Sequence, residues 1–369
     1  STWASFGYIQ APNTLYSNVV YVNAVGNRYS AGTLLTNAIQ SATAGTLVVV
    51  GPGIYELRTN VTSLTMKNGV DQYWMPGAKF VVGISNTVQN MFDDSFGALT
   101  SSIYGYGEFY LTNAGGGGSI LYADQNGSQV RFEHNKIRTY APGGDVINAG
   151  GPVKLDALTR GDLIASYQYD AFITAGNVIR ARWDILGDVY AGGDIIETSG
   201  PCTNRGDVFM TFRNGYGNLG NGSAGLMKLA GNVEVKFDRL IDTGGSGSGA
   251  SITRASSGTN YAYVNGGTIE SYAASTLALI KAHDTTSDTQ IHFKHSTIRG
   301  PTGVDVILAT NLHPMILEHC TIVPGASSTN WARGQVQSTI QIRGSLGLSA
   351  NLPFAANIAL TGVGHFADI

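Results

Sequence analysis

Charged side chains make up only 13% of this 369-residue chain, about half the share usual for a soluble protein. The 22 basic and 25 acidic residues form no Lys/Arg block and leave a net charge of −3. There is thus no electrostatic footprint for a phosphate backbone, and nucleic acid is not expected as a partner. Cysteine is nearly absent. Cys202 and Cys320 stand alone without CxxC or Cys/His spacing, which argues for two buried thiols and against a disulfide framework or a structural metal. Proline is sparse too, at 10 against 49 glycines with no Gly-X-Y period, which excludes a collagen-like rod and implies many tight turns between short strands. No apolar run reaches the roughly 18 residues a membrane span needs, so insertion into a bilayer is not expected. Calcium loops of the glycine-rich nonapeptide or EF-hand type are missing, and no cofactor is called for. There is no signal peptide, and the start at Ser1 reads as a processed or trimmed form.

What the chain does have is apolar material, at 43% of residues, enough for a large core and too much for disorder. The first informative stretch runs from Ala31 to Leu57. Leu34, Leu35, Ala38, Ile39 and Ala42 fall at helical spacing; Gly45 breaks the pattern, and a continuous apolar strand, Leu47 to Val50, follows. Next come the turn Gly51-Pro52-Gly53 and then Ile54 and Tyr55. An amphipathic helix ahead of a β-branched strand suits a stacked-coil fold, because the first coil exposes an unpaired edge and an open core that something must cover. This Ala-rich helix, Gly, apolar strand and Pro-Gly-x-Tyr turn resemble the entry motif of the pectate-lyase-like β-helix superfamily. The resemblance implies a fold, not an activity.

Beyond about residue 100 the sequence is periodic. Val130-Arg-Phe-Glu-His-Asn-Lys-Ile137, Ile291-His-Phe-Lys-His-Ser-Thr-Ile298 and Met315-Ile-Leu-Glu-His-Cys-Thr-Ile322 share one template: apolar, variable, apolar, charged, His, small or polar, polar, Ile. Looser copies start at Val233, Ala262 and Val178. A second short strand follows each after a Gly-rich turn, as at Asp145-Val-Ile147, Asp194-Ile-Ile196, Ser251-Ile-Thr253, Leu277 to Ile280 and Val304 to Leu308. Alternation within the template puts Phe132, Val235, Val264, Phe293 and Leu317 on an inner face and Glu133, Lys236, Asn265, Lys294 and Glu318 outside. Leucine-rich repeats would need regularly spaced leucines followed by Asn, and a propeller would need longer units with Trp-Asp-like signatures. Neither is present. The expected fold is therefore all-β, a single-stranded right-handed parallel β-helix of roughly 25-residue coils with an N-terminal capping helix. Its parts read as an N-terminal arm (1–30), the capping helix and first coil (31–58), the β-helix (59–336), and a C-terminal cap or oligomerisation segment (337–369) that leaves the coil register through Pro353 and Gly362-Val-Gly364.

Carboxylates are the reagents to expect if such a rod cleaves sugar chains, since one acid must protonate the leaving oxygen while another attacks or activates water. They concentrate centrally: Asp156, Asp162, Asp170, Asp184, Asp188, Asp194 and Glu197, with Arg160, Arg180 and Arg182 and the aromatics Tyr167, Tyr169, Trp183 and Tyr190. Asp184 and Asp188 are the first choice for catalysis, with Asp156, Asp162 and Glu197 behind them. Arg180, Arg182, Trp183, Tyr190, Tyr167 and Tyr169 are the candidates for substrate binding. Asp145 and Asp194, each in Gly-Gly-Asp before an apolar pair, read as turn residues. His134, His295 and His319 read as turn histidines, with the last two stacked on adjacent coils. Alternate aromatics in Ile103-Tyr-Gly-Tyr-Gly-Glu-Phe-Tyr110 suit either a strand or a sugar surface. Asn60, Asn126 and Asn221 fit the glycosylation pattern. The catalytic strings of polygalacturonases are missing apart from Asp93-Asp94 and an altered Gly364-His365-Phe366, and the pectate-lyase string is reduced to Trp183-Asp184-Ile185 without its His.

A low-charge β-helix rich in Gly, Ser, Thr and Asn, with a lid at one end and an off-register segment at the other, resembles a bacteriophage tail fibre or tailspike. That resemblance implies a virion-surface or extracellular homotrimer that recognises bacterial surface polysaccharide. An extracellular polysaccharide depolymerase, hydrolase or lyase, using the central carboxylates is the alternative reading. A secreted bacterial adhesin is a third.

Overall fold

The computed structural model describes residues 16–57, 64–83, 90–95, 97–112, 118–139, 145–165, 171–174, 178–198, 208–217, 227–229, 233–242, 252–254, 261–271, 280–282, 290–299, 305–309, 315–323, 330–334, 340–343, 346–347, 354–355 and 358–360. Tyr167, Tyr169, Asp170, Cys202, Asn60, Asn221 and most of the expected C-terminal segment lie outside these residues.

All strand pairings among the described residues are parallel, and the chain winds them into a β-solenoid. Two arms of one sheet form most of the wall. The first arm stacks Asn18–Val22, Thr46–Val50, Val70–Trp74, Thr100–Gly105, Gln129–His134, Lys154–Thr159 and Arg180–Ile185 in order. The second stacks Gly53–Glu56, Ala78–Val82, Glu108–Leu111, Lys136–Thr139, Leu163–Ala165 and Val189–Ala191. Three long strands, Val208–Gly217, Val233–Asp242 and Tyr261–Ser271, run through both arms before the arms separate again. A 12-stranded sheet closes the opposite side, and its strands begin at or next to Ile147, Ile196, Ile252, Ile280 and Asp305, inside the second-strand segments expected from sequence.

The core follows from strict alternation. Ile103, Phe132, Ala157, Trp183, Met210, Val235, Val264, Phe293 and Leu317 occupy one register and are buried. From the other sheet Leu64, Phe92, Leu121, Ile147, Ile196 and Met227 meet them. In the N-terminal coils the filling is aromatic: Trp74 sits edge-on to Tyr55, Phe92 and Phe109, and Phe109 stacks on Phe132 at 5.5 Å. A parallel sheet buried on one face and stacked on its own repeat has no free edge except at its ends.

The N-terminal end is closed by the helix Arg28–Ser41. Asn27 caps it by accepting from the N–H groups of Tyr29 and Ser30, so the helix starts at Arg28, six positions before Leu34, where the apolar spacing begins. Ala31, Gly32, Leu35 and Ile39 face the core, while Leu34 lies on the exposed side. The helix covers Gly53–Glu56, whose other edge pairs with Ala78–Val82. Its approach is so close that a Cβ on Gly32 would lie 1.9 Å from the Glu56 carbonyl oxygen. Asn18–Val22, expected in an N-terminal arm, is itself the first strand of the stack and pairs with Thr46–Val50.

Candidate functional site

Outward residues of the two-armed sheet form the candidate surface. On strand Arg180–Ile185 the residues Arg180, Arg182 and Asp184 point out, while Ala181, Trp183 and Ile185 point in. Trp183 is fully buried, and its indole N–H donates to Thr159 Oγ1 at 2.8 Å. It is a core residue, which corrects its assignment as a sugar platform. The copy that seemed to start at Val178 has its register at Ala181, which pairs with Leu155 as Trp183 pairs with Ala157. A slip of an odd number of residues sends every side chain to the other face.

Asp156, outward on the preceding strand, forms an ion pair with Arg180, and Arg182 lies exposed beside it in register. Asp184 accepts a hydrogen bond from the Thr211 hydroxyl at 2.6 Å. Where the first arm turns into the second, Asp162 and Asp188 stack on successive coils, and the Asp188 N–H donates to Asp162 Oδ1 at 3.1 Å. The coils meet so tightly there that a Cβ on Gly187 would lie 2.3 Å from the Gly161 carbonyl oxygen. Asn214 Nδ2 donates to Asp188 Oδ1 at 2.9 Å, and exposed Arg213 lies 3.7 Å from the same oxygen. Tyr190 and Tyr216 stack beside this corner with ring centres 4.8 Å apart and planes within 6°. Burial, then the charge of Asp188, pushes the Tyr190 phenol above its ordinary pKa, so its O–H remains a donor.

Of the residues singled out from sequence, the fold therefore gathers Asp162, Asp188 and Tyr190 at one corner, with Asp184, Asp156, Arg180 and Arg182 on the adjoining strands. Glu197 does not join them. It faces outward from strand Ile196–Thr198 of the 12-stranded sheet, so the core separates it from Asp184. Sequence reading missed Thr211, Asn214 and Tyr216, although the period that places Tyr216 beside Tyr190 was available.

A second cluster lies nearer the N-terminus on the same face. Tyr73 and Tyr104 stand on adjacent coils with ring centres 5.3 Å apart, and Tyr106 is exposed at the turn beyond them. The Arg131 guanidinium lies over Tyr104 and that of Arg160 over Tyr106, at 5.6 and 4.9 Å. Both arginines grip Glu133, at 2.6 Å from Arg131 Nε and 2.9 Å from Arg160 Nη2. Glu133 thus points outward as its position requires, yet it is covered and only 6% exposed. Tyr16 donates to Asp71 and lies 3.3 Å from the Tyr104 hydroxyl, closing the cluster on its other side.

The template histidines divide. His295 and His319 are exposed turn residues with φ of 52° and 53°, and their rings stack at 5.5 Å on adjacent coils. His134 is instead the last residue of its strand and points into the core, which corrects its reading as a turn histidine. Its Nε2 lies 2.8 Å from Thr159 Oγ1. Burial, aided by the Arg160 charge, lowers its pKa to about 3. The Asp93-Asp94 string is structural at Asp94, whose fully buried carboxylate accepts from the N–H groups of Asp124 and Gln125 on the next coil. Among the described residues no group of three or more His, Cys, Asp or Glu is placed to hold a metal ion.

No family model matches the chain, and no curated protein matches it. Among solved structures it is similar to the A-module of the mannuronan C-5 epimerase of Azotobacter vinelandii, at 10% identity and a TM-score of 0.40 over 94% of this chain and 100% of that one. At that level of likeness no residue or activity is carried across, and the site stands on its own geometry.

Proposed function

We propose that this chain is the rod of a virion tail fibre or tailspike-like protein, acting outside the cell, that recognises bacterial surface polysaccharide on the outer face of its two-armed sheet. The observation that carries the reading is the parallel Tyr190 and Tyr216 stack beside Asp162, Asp188 and Asn214. Aromatic side chains offer an apolar body to the C–H face of a sugar ring, while carboxylate and amide groups at the rim hydrogen-bond its hydroxyls. A homotrimer belongs to the same proposal, supported by the low overall charge, which leaves little repulsion between laterally packed copies. The test is to incubate the protein with host capsule and lipopolysaccharide and to measure both binding and released oligosaccharide. Binding without release, weakened at least tenfold by Tyr216→Ala, is the expected result. Absence of binding to any surface glycan refutes the proposal.

A depolymerase is the second reading, favoured by one observation: Asp184 and Asp188 lie on one coil, outward and partly exposed. Under that reading released oligosaccharide appears, and Asp184→Asn abolishes it while leaving the fold intact, because an amide keeps the shape but cannot transfer the proton or attack.

A further inference from the structure

We infer that the corner beside Tyr190 and Tyr216 takes a neutral, polyhydroxylated glycan, held by a rim of carboxylates and guanidinium groups around the exposed Leu186. The inference rests on the glycan-recognition reading above and names the class of saccharide that the site accepts.

Charge balance is the first argument. Three carboxylates stand at the corner, Asp162, Asp184 and Asp188, and each has a guanidinium close by. Arg213 lies 3.7 Å from Asp188 Oδ1. Arg182 faces outward two residues before Asp184 on the same strand, and Arg160 precedes Asp162 by two residues at the turn. The charges next to these are matched as well. Arg131 pairs with Glu133, which also reaches Arg160, and Asp156, in register with Arg131, pairs with Arg180. Lys154 opens its strand at the end away from the turn. Arginines and acids around the corner therefore match in number, and a surface with no excess of either sign draws neither a polyanion nor a polycation.

Hydrogen-bonding capacity is the second. Each corner carboxylate uses one oxygen inside the fold: Oδ1 of Asp162 accepts from Asp188 N–H, Oδ1 of Asp184 from the Thr211 hydroxyl, and Oδ1 of Asp188 from Asn214 Nδ2. Among the described residues, Oδ2 of each is left as an acceptor for a ligand. Arg160 gives one N–H to the Gly105 carbonyl and one to Glu133, out of the five a guanidinium carries. Acceptors and donors thus stand side by side, and a hydroxyl serves both because it donates one proton and accepts at two lone pairs. An ionised carboxylate has no proton to give to three carboxylates, and an ammonium accepts nothing from a guanidinium.

The apolar surface is the third. Leu186 is 62% exposed, far more than a side chain of its kind needs at a turn. Ile185 before it is buried, so Leu186 points out, and its N–H donates to the Thr159 carbonyl of the preceding coil at 2.9 Å, which sets it beside Arg160. Along this one coil the side chains open to solvent read Asp184, Leu186, Asp188, Tyr190, polar and apolar in alternation. A pyranose has the same character, with C–H faces for Leu186 and the stacked tyrosines and hydroxyls at its edge for the carboxylates.

The test is an array of bacterial polysaccharides, neutral, uronate-bearing, phosphorylated and amino-sugar-bearing, probed with the wild-type chain, Asp162→Asn and Leu186→Ser. Hits are expected among the neutral glycans, with the same affinity at about 0.05 M and about 0.5 M salt, since no ion pair forms on binding. Methylating the hydroxyls of a hit removes its donors and should weaken binding about tenfold. Asp162→Asn keeps the oxygen that accepts from Asp188 N–H and turns the other into an N–H donor, so it should weaken the neutral hits about tenfold. Leu186→Ser should weaken them too, and because Leu186 is exposed its thermal unfolding should not change. This second variant decides the matter if Asp162→Asn fails to fold. Acidic or amino-sugar hits bound more tightly than neutral ones, binding that salt weakens, or neutral hits indifferent to both variants overturn this inference and leave glycan recognition standing. No hit of any kind overturns both.

Discussion

Acid should weaken this rod before its carboxylates begin to titrate, and His134 is the reason. Thr159 Oγ1 accepts from the Trp183 indole and lies 2.8 Å from His134 Nε2, while His134 Nδ1 is buried with no hydrogen-bond partner among the described residues. Phe109 and Phe132 lie against the ring, so nothing there solvates a second charge. With the folded pKa lowered to about 3 and an unfolded value near 6.5, the unfolded state binds a proton between those limits that the folded state refuses. The contribution is present in full above pH 6.5 and is lost as pH falls toward 3. Each pH unit in that window removes about 1.4 kcal/mol, so the loss from neutral pH to pH 5 is about 2 kcal/mol from this one side chain. Urea unfolding of the wild type and of His134→Met at pH 7, 6 and 5 reads the difference in slope, in which any general effect of acid cancels. His134→Met should be less stable at pH 7, since it removes the ring nitrogen that pairs with the Thr159 hydroxyl, and flatter with pH. Parallel slopes for the two proteins would refute a buried neutral imidazole.

Four further outcomes are expected. Phe293→Ala empties one rung of the inner ladder and should cost about 3 to 5 kcal/mol in denaturant unfolding, whereas Lys236→Ala, outward and exposed, should change little. Gly32→Ala should cost about 1 to 3 kcal/mol, because the helix must lift off the Glu56 carbonyl to admit the methyl group, and a gain in melting temperature would contradict the close packing of that lid. Burial pushes the Cys320 thiol up to about 11, so at pH 8 it should resist a thiol reagent until the protein is unfolded; rapid labelling of the folded chain at Cys320 would contradict its placement. Light scattering should give three times the chain mass, and 38.8 kDa at micromolar concentration would remove the trimer from the proposal.

The solenoid was legible because its main signal is local. Alternation with period 2 named Phe132, Val235, Val264, Phe293 and Leu317 as inward, and all five are buried. A helical spacing ahead of an apolar strand named the lid, although the capping side chain Asn27 set its start. Template matching failed where two conformations satisfy one string: His134 continues its strand into the core, whereas His295 and His319 turn the corner with positive φ and stay outside. The inward Phe or Leu and the inward Ile stand five positions apart in every copy, so sequence spacing is the same and only the local path differs. Trp183 shows the related failure of register, since the copy around it fixes neither phase nor face until Ala181 is paired with Leu155.

The sequence by itself determined which residues form the wall and the core of the rod, because burial in a strand is set by parity and parity is written in the order of apolar residues. It could not determine which outward residues become neighbours. Tyr16 reaches Tyr104 across 88 positions and Arg160 reaches Gly105 across 55, because coils of unequal length stack at a fixed spacing and carry distant segments onto one face. The corner of Asp162, Asp188, Tyr190 and Tyr216 and the cluster of Tyr106, Arg131, Glu133 and Arg160 exist only once that stacking is in place.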